Sequence, residues 1–282
     1  MKSDEFELLS RLVKERSRLV LTKDKAYLLE SRLLPVARKH GVKGLEELVV
    51  AVRAKPDGPV ARDIVEAMTT NESLFFRDVK PFDQFRNLVL PKLLLARAAR
   101  RTIRIWSAAC SSGQEPYSLA MILDELQAKI AGWRIEIVAT DLSNEILDRA
   151  RAGVYSQFEV QRGLPVQYLI KHFKQNGDKW HISDKLKSMV TYRTFNLLDS
   201  MSVLGQFDIV FCRNVLIYFD QATKGRVLAS MAQLLPADGV LYLGGAETVL
   251  GVSDRFEPLP GERGIYRPVP PSAPLQLKGA VG

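Results

Sequence analysis

IRIWSAACSSGQEPYSLAMIL, residues 103–123, carries the pattern that decides the fold. Ile103, Ile105 and Trp106 have the β-branched and aromatic bias of a buried strand, and Ser118 to Leu126 places apolar residues at helical spacing, so a strand runs into a helix. Between them lie Ser107, Ala108, Ala109, Cys110, Ser111, Ser112 and Gly113, whose small side chains let a ligand approach the backbone beside a helix N-terminus. Glu115 and Pro116 open the helix. Proline tolerates the first turn because its missing N–H would be unpaired there, and Glu115 sets a carboxylate where a cation or hydroxyl would meet it. Taken alone, the run is equally an ordinary strand-to-helix connection whose small residues serve packing.

The next strand favours the ligand loop. RIEIVAT, Arg134 to Thr140, ends at Asp141, 28 residues after Gly113. In doubly wound folds an acidic residue at the tip of the second strand, about 20 residues past the glycine loop, binds ribose hydroxyls. The sequence has no GxGxxG and no GxxxxGK, so neither a dinucleotide pyrophosphate nor a triphosphate is the expected ligand. Glu115 and Asp141 suit a nucleoside bearing positive charge, and S-adenosylmethionine carries a sulfonium and an ammonium.

At 282 residues with 46% hydrophobic content, two domains are expected. Apolar runs fall far short of the ~20 residues that span a bilayer, and MKSDEFELLSRLVKERSR is too charged for a signal peptide, so a cytoplasmic protein is expected. Cys110 and Cys212 form neither a CxxC nor a Cys/His metal spacing, and His40, His172 and His181 form no metal-ligand interval; free thiols and no metal are expected. Residues 1–100 hold 20 Lys+Arg against 14 Asp+Glu, and the rest 20 against 18, so the basic excess is N-terminal. Such a face serves solubility or steers the protein toward an acidic partner, nucleic acid or protein, and charge alone does not choose.

Residues 1 to about 70 read as four helices. Phe6, Leu9, Leu12 and Val13 line one face of the first; the second runs from Lys23, capped by Thr22, to His40; Leu45–Ala54 and Pro59–Met68 follow, parted by KPDGP. TTNESLFFRD, Thr69 to Asp78, gathers hydrogen-bonding groups before two phenylalanines that would fix the linker against the core, leaving Arg77 to meet a carboxylate with its planar fork. A single helix is expected over Pro81–Arg100. Beyond Asp141 the pattern predicts a helix over Glu145–Ala150, an insertion beginning at Gly153 with a hairpin at Asn176-Gly177-Asp178, and a strand over Met189–Phe195 that delivers Asn196 and Leu197 to the ligand edge. There an amide can bond a base edge while Leu197 packs on its face. FDIVFC, Phe207 to Cys212, reads as a central strand with Arg213 and Asn214 at its end and Tyr218 just beyond. A helix over Asp220–Leu235, a strand over Val240–Gly244 and a closing hairpin over Phe256–Arg267 complete the pattern, and the tail PVPPSAPLQLKGAVG is expected to be disordered.

TTNESLFFRD, WSAACSSGQEPYSLA, ATDLS, FNLLD and FDIVFCRNVLIYF, in that order, resemble CheR, the chemotaxis receptor glutamate O-methyltransferase family. The resemblance implies an α/β fold: a Rossmann-like S-adenosylmethionine-dependent methyltransferase domain over 79–267, with a small antiparallel β-subdomain inserted at about 154–188. An all-helical N-terminal domain and linker over 1–78 would precede it, and a tail over 268–282 follow. By motif position it places cofactor contacts on Asn71, Ser73, Arg77, Glu115, Asp141, Asn196, Leu197, Arg213 and Asn214. The family commonly has Thr where this chain has Ser73, and the hydroxyl is retained. The implied partner is the cytoplasmic domain of methyl-accepting chemotaxis receptors, met transiently at the membrane by a monomer that neither inserts into the bilayer nor binds nucleic acid. Some members dock at a receptor C-terminal pentapeptide through a longer glycine-containing loop of the β-subdomain; KQNGDKW is short, so such tethering is expected to be absent.

Methyl transfer from a sulfonium to a carboxylate needs no general base, because a glutamate with a reference pKa of about 4.3 is already ionised at neutral pH. Tyr218 is the candidate to orient the acceptor, with Arg77 the second catalytic candidate. Two alternatives stand beside this reading. A nucleic-acid methyltransferase would match the basic balance, but RNVLIYF stands where exocyclic-amine enzymes have [DNS]PP[YFW], and neither cysteine precedes proline. A non-catalytic cofactor-binding receptor adaptor would share the fold, and intact Arg77, Glu115, Asp141 and Tyr218 argue against it.

Overall fold

A computed structural model describes residues 3–17, 19, 21, 26–68 and 72–269. Thr22 to Lys25, Thr69 to Asn71, and the residues after 269, where disorder is expected, lie outside them. Helices α1 (Ser3–Ser17), α2 (Ala26–Lys39), α3 (Leu45–Ala54) and α4 (Pro59–Met68) pack apolar faces on one another. Phe6, Leu9, Leu12 and Val13 are all buried, against Leu29 and Leu33 of α2, Leu48 and Val52 of α3, and Ile64 and Val65 of α4. This is what a 3.6-residue apolar period produces when each stripe finds a partner.

Phe75 and Phe76 then lock the linker. Phe75 packs edge-on to Tyr155 and Phe173 at ring separations of 5.0 and 5.7 Å, and Phe76 stacks on Tyr168 at 5.0 Å. The single helix expected over Pro81–Arg100 is instead three segments: α5 (Lys80–Gln84), a π-helical turn (Phe85–Val89) and α6 (Leu90–Ala96). Pro91 is the cause. It has no N–H for the ladder and its ring crowds the preceding turn, so the Leu90 N–H bonds five residues back to the Phe85 carbonyl. Beyond Ala96 the helix stops, and Arg97 and Arg100 reach buried Asp208, which also accepts the Arg104 N–H at 2.9 Å.

The remaining elements are β1 (Thr102–Ala108), α7 (Gln114–Glu125), β2 (Arg134–Asp141), α8 (Asn144–Ala152), β3 (Val154–Ser156), α9 (Gln157–Gln161), α10 (Val166–His172), β4 (Phe173–Asn176), β5 (Lys179–Ile182), α11 (Asp184–Ser188), β6 (Val190–Thr194), β7 (Ile209–Cys212), α12 (Gln221–Leu234), β8 (Val240–Leu243), β9 (Phe256–Pro258) and β10 (Ile265–Pro268). Seven strands form one sheet in the order β6-β2-β1-β7-β8-β10-β9. The first five are parallel, and β10 and β9 close the edge antiparallel, with the final strand reaching Pro268, one residue past the expected hairpin. Burial on both faces explains the continuous apolar runs: Ile103, Ile105, Ile209 and Phe211 face one core with α7, while Trp106, Ala108, Val210 and Cys212 face the other with α12. The expected insertion is a three-stranded antiparallel sheet, β3-β5-β4, whose β4–β5 hairpin turns at Gly177-Asp178.

That subsheet is bolted to the main domain through charge. Asp124 of α7 is buried and binds Lys171 of α10, with Nζ at 2.8 Å, and Lys185 of α11. Burial alone would push its carboxyl up, but hydrogen bonds and charge from the two lysines outweigh that and hold it below the ordinary range. Because the folded-state pKa is depressed, the stabilisation is present above the unfolded value of about 3.8 and lost as pH falls through the folded value. Asp124→Ala should cost about 1–3 kcal/mol at pH 7. The cost should shrink below about pH 4, as measured by thermal unfolding at both pH values, with amide exchange quickening in residues 166–188.

Candidate functional site

The chain passes from β1 outward through β2 to β6, then returns to the other side of β1 for β7 and β8. Strand order therefore reverses between β1 and β7, the place where an open parallel sheet leaves a crevice at its carboxyl edge. An open cleft of about 970 Å³, mouth included, lies there. Ser73, Arg77, Glu115, Asp141, Asn196, Leu197, Arg213, Asn214 and Tyr218 all line it. Of the candidate site residues, only Asn71 lies outside the described residues.

The first wall is the loop from β1 to α7. Ala109 and Ser111 adopt left-handed backbone at φ 56° and 51°, and Gly113, preceding α7, at φ 92°. A Cβ on Gly113 would stand 2.8 Å from the Tyr192 hydroxyl and 3.1 Å from Ala150, so glycine is required for space as well as for φ. The Tyr155 hydroxyl donates to the Ser112 carbonyl at 2.8 Å and anchors the loop from the subsheet side. Glu115 accepts from the Ser107 hydroxyl at 2.8 Å and from Arg213 at 3.0 Å.

Asp141 ends β2 as a buried carboxylate. Its Oδ2 accepts the Ser111 N–H at 2.9 Å and its Oδ1 the Ser143 N–H at 3.1 Å, which joins the tips of β1 and β2. Burial pushes its pKa up, opposed by the backbone N–H groups of Ser143, Ser111 and Leu142. The oxygens keep free lone pairs for a further donor such as a ribose hydroxyl.

At the end of β6, Leu197 is buried on the cleft wall. The Asn196 amide is more committed than its sequence position suggested: Nδ2 donates to the Arg16 carbonyl at 2.9 Å, and Oδ1 accepts the Leu198 N–H at 3.1 Å. One N–H and one lone pair remain for a ligand. Arg213, after β7, is likewise engaged. Its guanidinium binds Glu115, Asp78 at 2.6 Å and the Arg77 carbonyl at 2.8 Å, so it ties the FFRD turn to the α7 start. In that turn Phe76 and Asp78 are left-handed at φ 49° and 68°, and Arg77 donates to the Glu72 carbonyl at 3.2 Å.

Cys110 lines the cleft and Cys212 ends β7; both are buried, free, and pushed well up in pKa by that burial, so they stay protonated thiols. Ser17, Leu19, Leu142, Phe195 and Phe219 also line the cleft, and sequence reasoning missed them. Phe195 and Phe219 flank the quoted motifs and were within reach. Ser17 ends the first helix and Leu19 follows it, in a stretch with no local signal; only the docking of that helix, through Arg16 and Asn196, brings them here.

The donor set fits S-adenosylmethionine: two carboxylates for its positive charge and hydroxyls, an arginine for its carboxylate, and apolar Leu142, Phe195 and Leu197 for an aromatic base. Residues 71–265 match the family described as CheR methyltransferase, SAM binding domain, and residues 4–69 match CheR methyltransferase, all-alpha domain. Among similar proteins, the chemotaxis protein methyltransferase Cher2 of Pseudomonas putida is 40% identical over 265 residues, which is 93% of this chain and 96% of that protein. Chemotaxis protein methyltransferase 1 of Pseudomonas aeruginosa is 41% identical over 268 residues, covering 93% and 97%. A solved structure of the glycopeptide N-methyltransferase MtfA complexed with S-adenosyl-L-methionine aligns with TM-score 0.34 and 18% identity over 65% of this chain and 66% of that one, a likeness too slight to add weight. The chain belongs to the CheR methyltransferase family, and S-adenosylmethionine is the cofactor of the domain matched over residues 71–265.

Proposed function

We propose that the protein methylates the side-chain carboxylate of specific glutamates in chemotaxis receptors, forming methyl esters. The relatives named as chemotaxis protein methyltransferases support the receptor as partner. The observation that carries the carboxylate is the meeting of Arg77 and Tyr218 with Glu115 and Asp141 on one cleft. The acidic pair suits a positively charged donor, and the cationic and hydroxyl donors suit an anionic acceptor. No feature of an amine acceptor calls for Arg77 there.

Bound S-adenosylmethionine supplies an electrophilic methyl group on a sulfonium. Asp141 would hold its ribose hydroxyls and Glu115 its ammonium, while Leu197, Phe195 and the remaining Asn196 N–H would receive the adenine. Ser73 would complete the linker side and Asn214 the β7 side, and Asn71 is carried only by its motif position. Arg77 meets the methionine carboxylate or the incoming glutamate, and Tyr218 orients the glutamate oxygen through its hydroxyl. The chain's share is then to hold oxygen and methyl in line at ~3–3.5 Å and to exclude water from the anion. The primary test is incubation of receptor-containing membranes with methyl-labelled cofactor. Base-labile label released as methanol identifies a carboxyl ester, whereas label stable to alkali would indicate amine or base methylation and defeat the proposal.

Asp141→Ala should weaken binding of S-adenosylhomocysteine by about 1–3 kcal/mol, since both ribose hydroxyls and the Ser111 and Ser143 N–H groups lose an acceptor. Asp141→Asn keeps one acceptor oxygen and should lose less. Titration calorimetry reads both, and unchanged affinity in the alanine variant would remove Asp141 from the site.

The acceptor's identity also sets the pH profile. A glutamate with reference pKa near 4.3 is almost fully ionised above about pH 6, so single-turnover transfer at saturating receptor should be level from there to about pH 9. A lysine near 10.4 must first lose a proton, and its rate would climb about tenfold per pH unit across neutrality. Rapid quench with immediate ester determination separates the two before alkaline hydrolysis intervenes.

A further inference from the structure

The segment carrying Asn214 and Tyr218 is folded around a single carboxylate supplied from another strand end. Glu247 Oε1 accepts the N–H groups of Val215 at 3.0 Å, Leu216 at 2.7 Å and Ile217 at 3.3 Å. Its Oε2 accepts those of Asn214 at 2.8 Å and Gly244 at 2.7 Å. Five backbone donors thus converge on one side chain. The approach is possible because β7 and β8 pair through Cys212 and Leu243, which sets residues 213–214 beside Gly244. A Cβ on Gly244 would lie 2.7 Å from Glu247 Oε2 and 2.9 Å from the Asn214 nitrogens, so only glycine admits the carboxylate.

What the carboxylate holds is the start of a 3₁₀ turn, Leu216–Tyr218, whose leading N–H groups have no carbonyl of their own to meet. The turn closes on the tyrosine: Tyr218 N–H bonds the Val215 carbonyl at 3.2 Å and Phe219 N–H the Leu216 carbonyl at 3.0 Å. Tyr218 itself is half-buried, so packing fixes its ring only in part. Its direction is inherited from the backbone. Asn214, at φ 59°, is held in a left-handed conformation by the same carboxylate.

We propose that Glu247 is a positioning residue for methyl transfer: it fixes the Asn214–Tyr218 turn so that the Tyr218 hydroxyl faces the acceptor. This rests on the role given to Tyr218 above. Glu247→Gln keeps size but replaces one acceptor oxygen by a donor, so at most one oxygen remains for the five N–H groups. An error of about 1 Å in a positioning group costs on the order of a hundredfold in rate, so a loss of roughly ten- to hundredfold is expected in single-turnover transfer at saturating cofactor and receptor.

A double-mutant cycle with Tyr218→Phe distinguishes positioning from simple loop support. If Glu247 acts through the tyrosine hydroxyl, Glu247→Gln costs less than about threefold once that hydroxyl is gone. Losses that instead multiply in the double variant overturn the Glu247 proposal while leaving Tyr218 in place. A Tyr218→Phe enzyme with the parent rate overturns the role of Tyr218 itself, and this inference with it. Should Glu247→Gln not fold, Glu247→Asp, one methylene shorter with both oxygens kept, goes through the same cycle and is judged by the same two outcomes.

Discussion

The structure depends on one topological constraint: the chain leaves β1 toward β2 and β6 and later returns to its opposite side for β7. The helix after β1 covers one face of the sheet and the helix after β7 covers the other. Among the described residues, no main chain then fills the space beyond the carboxyl ends of β1 and β7. Every loop that borders this space brings polar groups to it: the Ala109–Gly113 loop from β1, Asp141 from β2, Asn196 after β6, and Arg213 and Asn214 from β7.

Holding four loops around an open cleft is a problem of charge as much as of shape. Arg213 is buried and would be costly without partners; its two terminal nitrogens are bonded by Glu115, Asp78 and the Arg77 carbonyl, its Nε finds no partner among the described residues, and Phe82 lies beneath its guanidinium at 5.7 Å. Asp141 does the same work with opposite sign through the Ser111 and Ser143 N–H groups. Such buried pairs contribute little net stability over an apolar core, but they define one geometry. That role suits a site in which left-handed Ala109, Ser111, Phe76, Asp78 and Asn214 must all be kept in place.

The helical part is not an appendage to this arrangement. Leu142, beside Asp141, packs on the core of α1–α4, Glu66 of α4 accepts from the Ser143 hydroxyl at 2.5 Å and the Glu145 N–H at 2.8 Å, and the Arg16 carbonyl meets Asn196. The end of α1 and the tip of β2 are thus joined to the cofactor cleft by short polar contacts. Movement of the helices would be felt at Asp141 and Asn196.

Much of this was legible in the sequence because it is local. The β-branched and aromatic run in IRIW, the nearly continuous apolar run in FDIVFC, the small residues before Glu115, and Asp141 at a strand tip each declare themselves within a few residues, since strand bias, glycine freedom and helix ends are properties of neighbouring backbone. Pro91 was equally local, and its effect on the helix over 80–96 was overlooked. The sequence by itself determined the succession of the main-sheet strands, the parallel core and most of the polar groups on the cleft. Only the tertiary structure decided which of those groups are already spent on one another: that Arg213 is bound to Glu115 and Asp78, that Asn196 holds the first helix, and that Glu247 folds the turn before Tyr218. Those contacts join residues 30 to 180 positions apart, and a hydrogen bond between distant residues exists only where packing has brought donor and acceptor within about 3 Å.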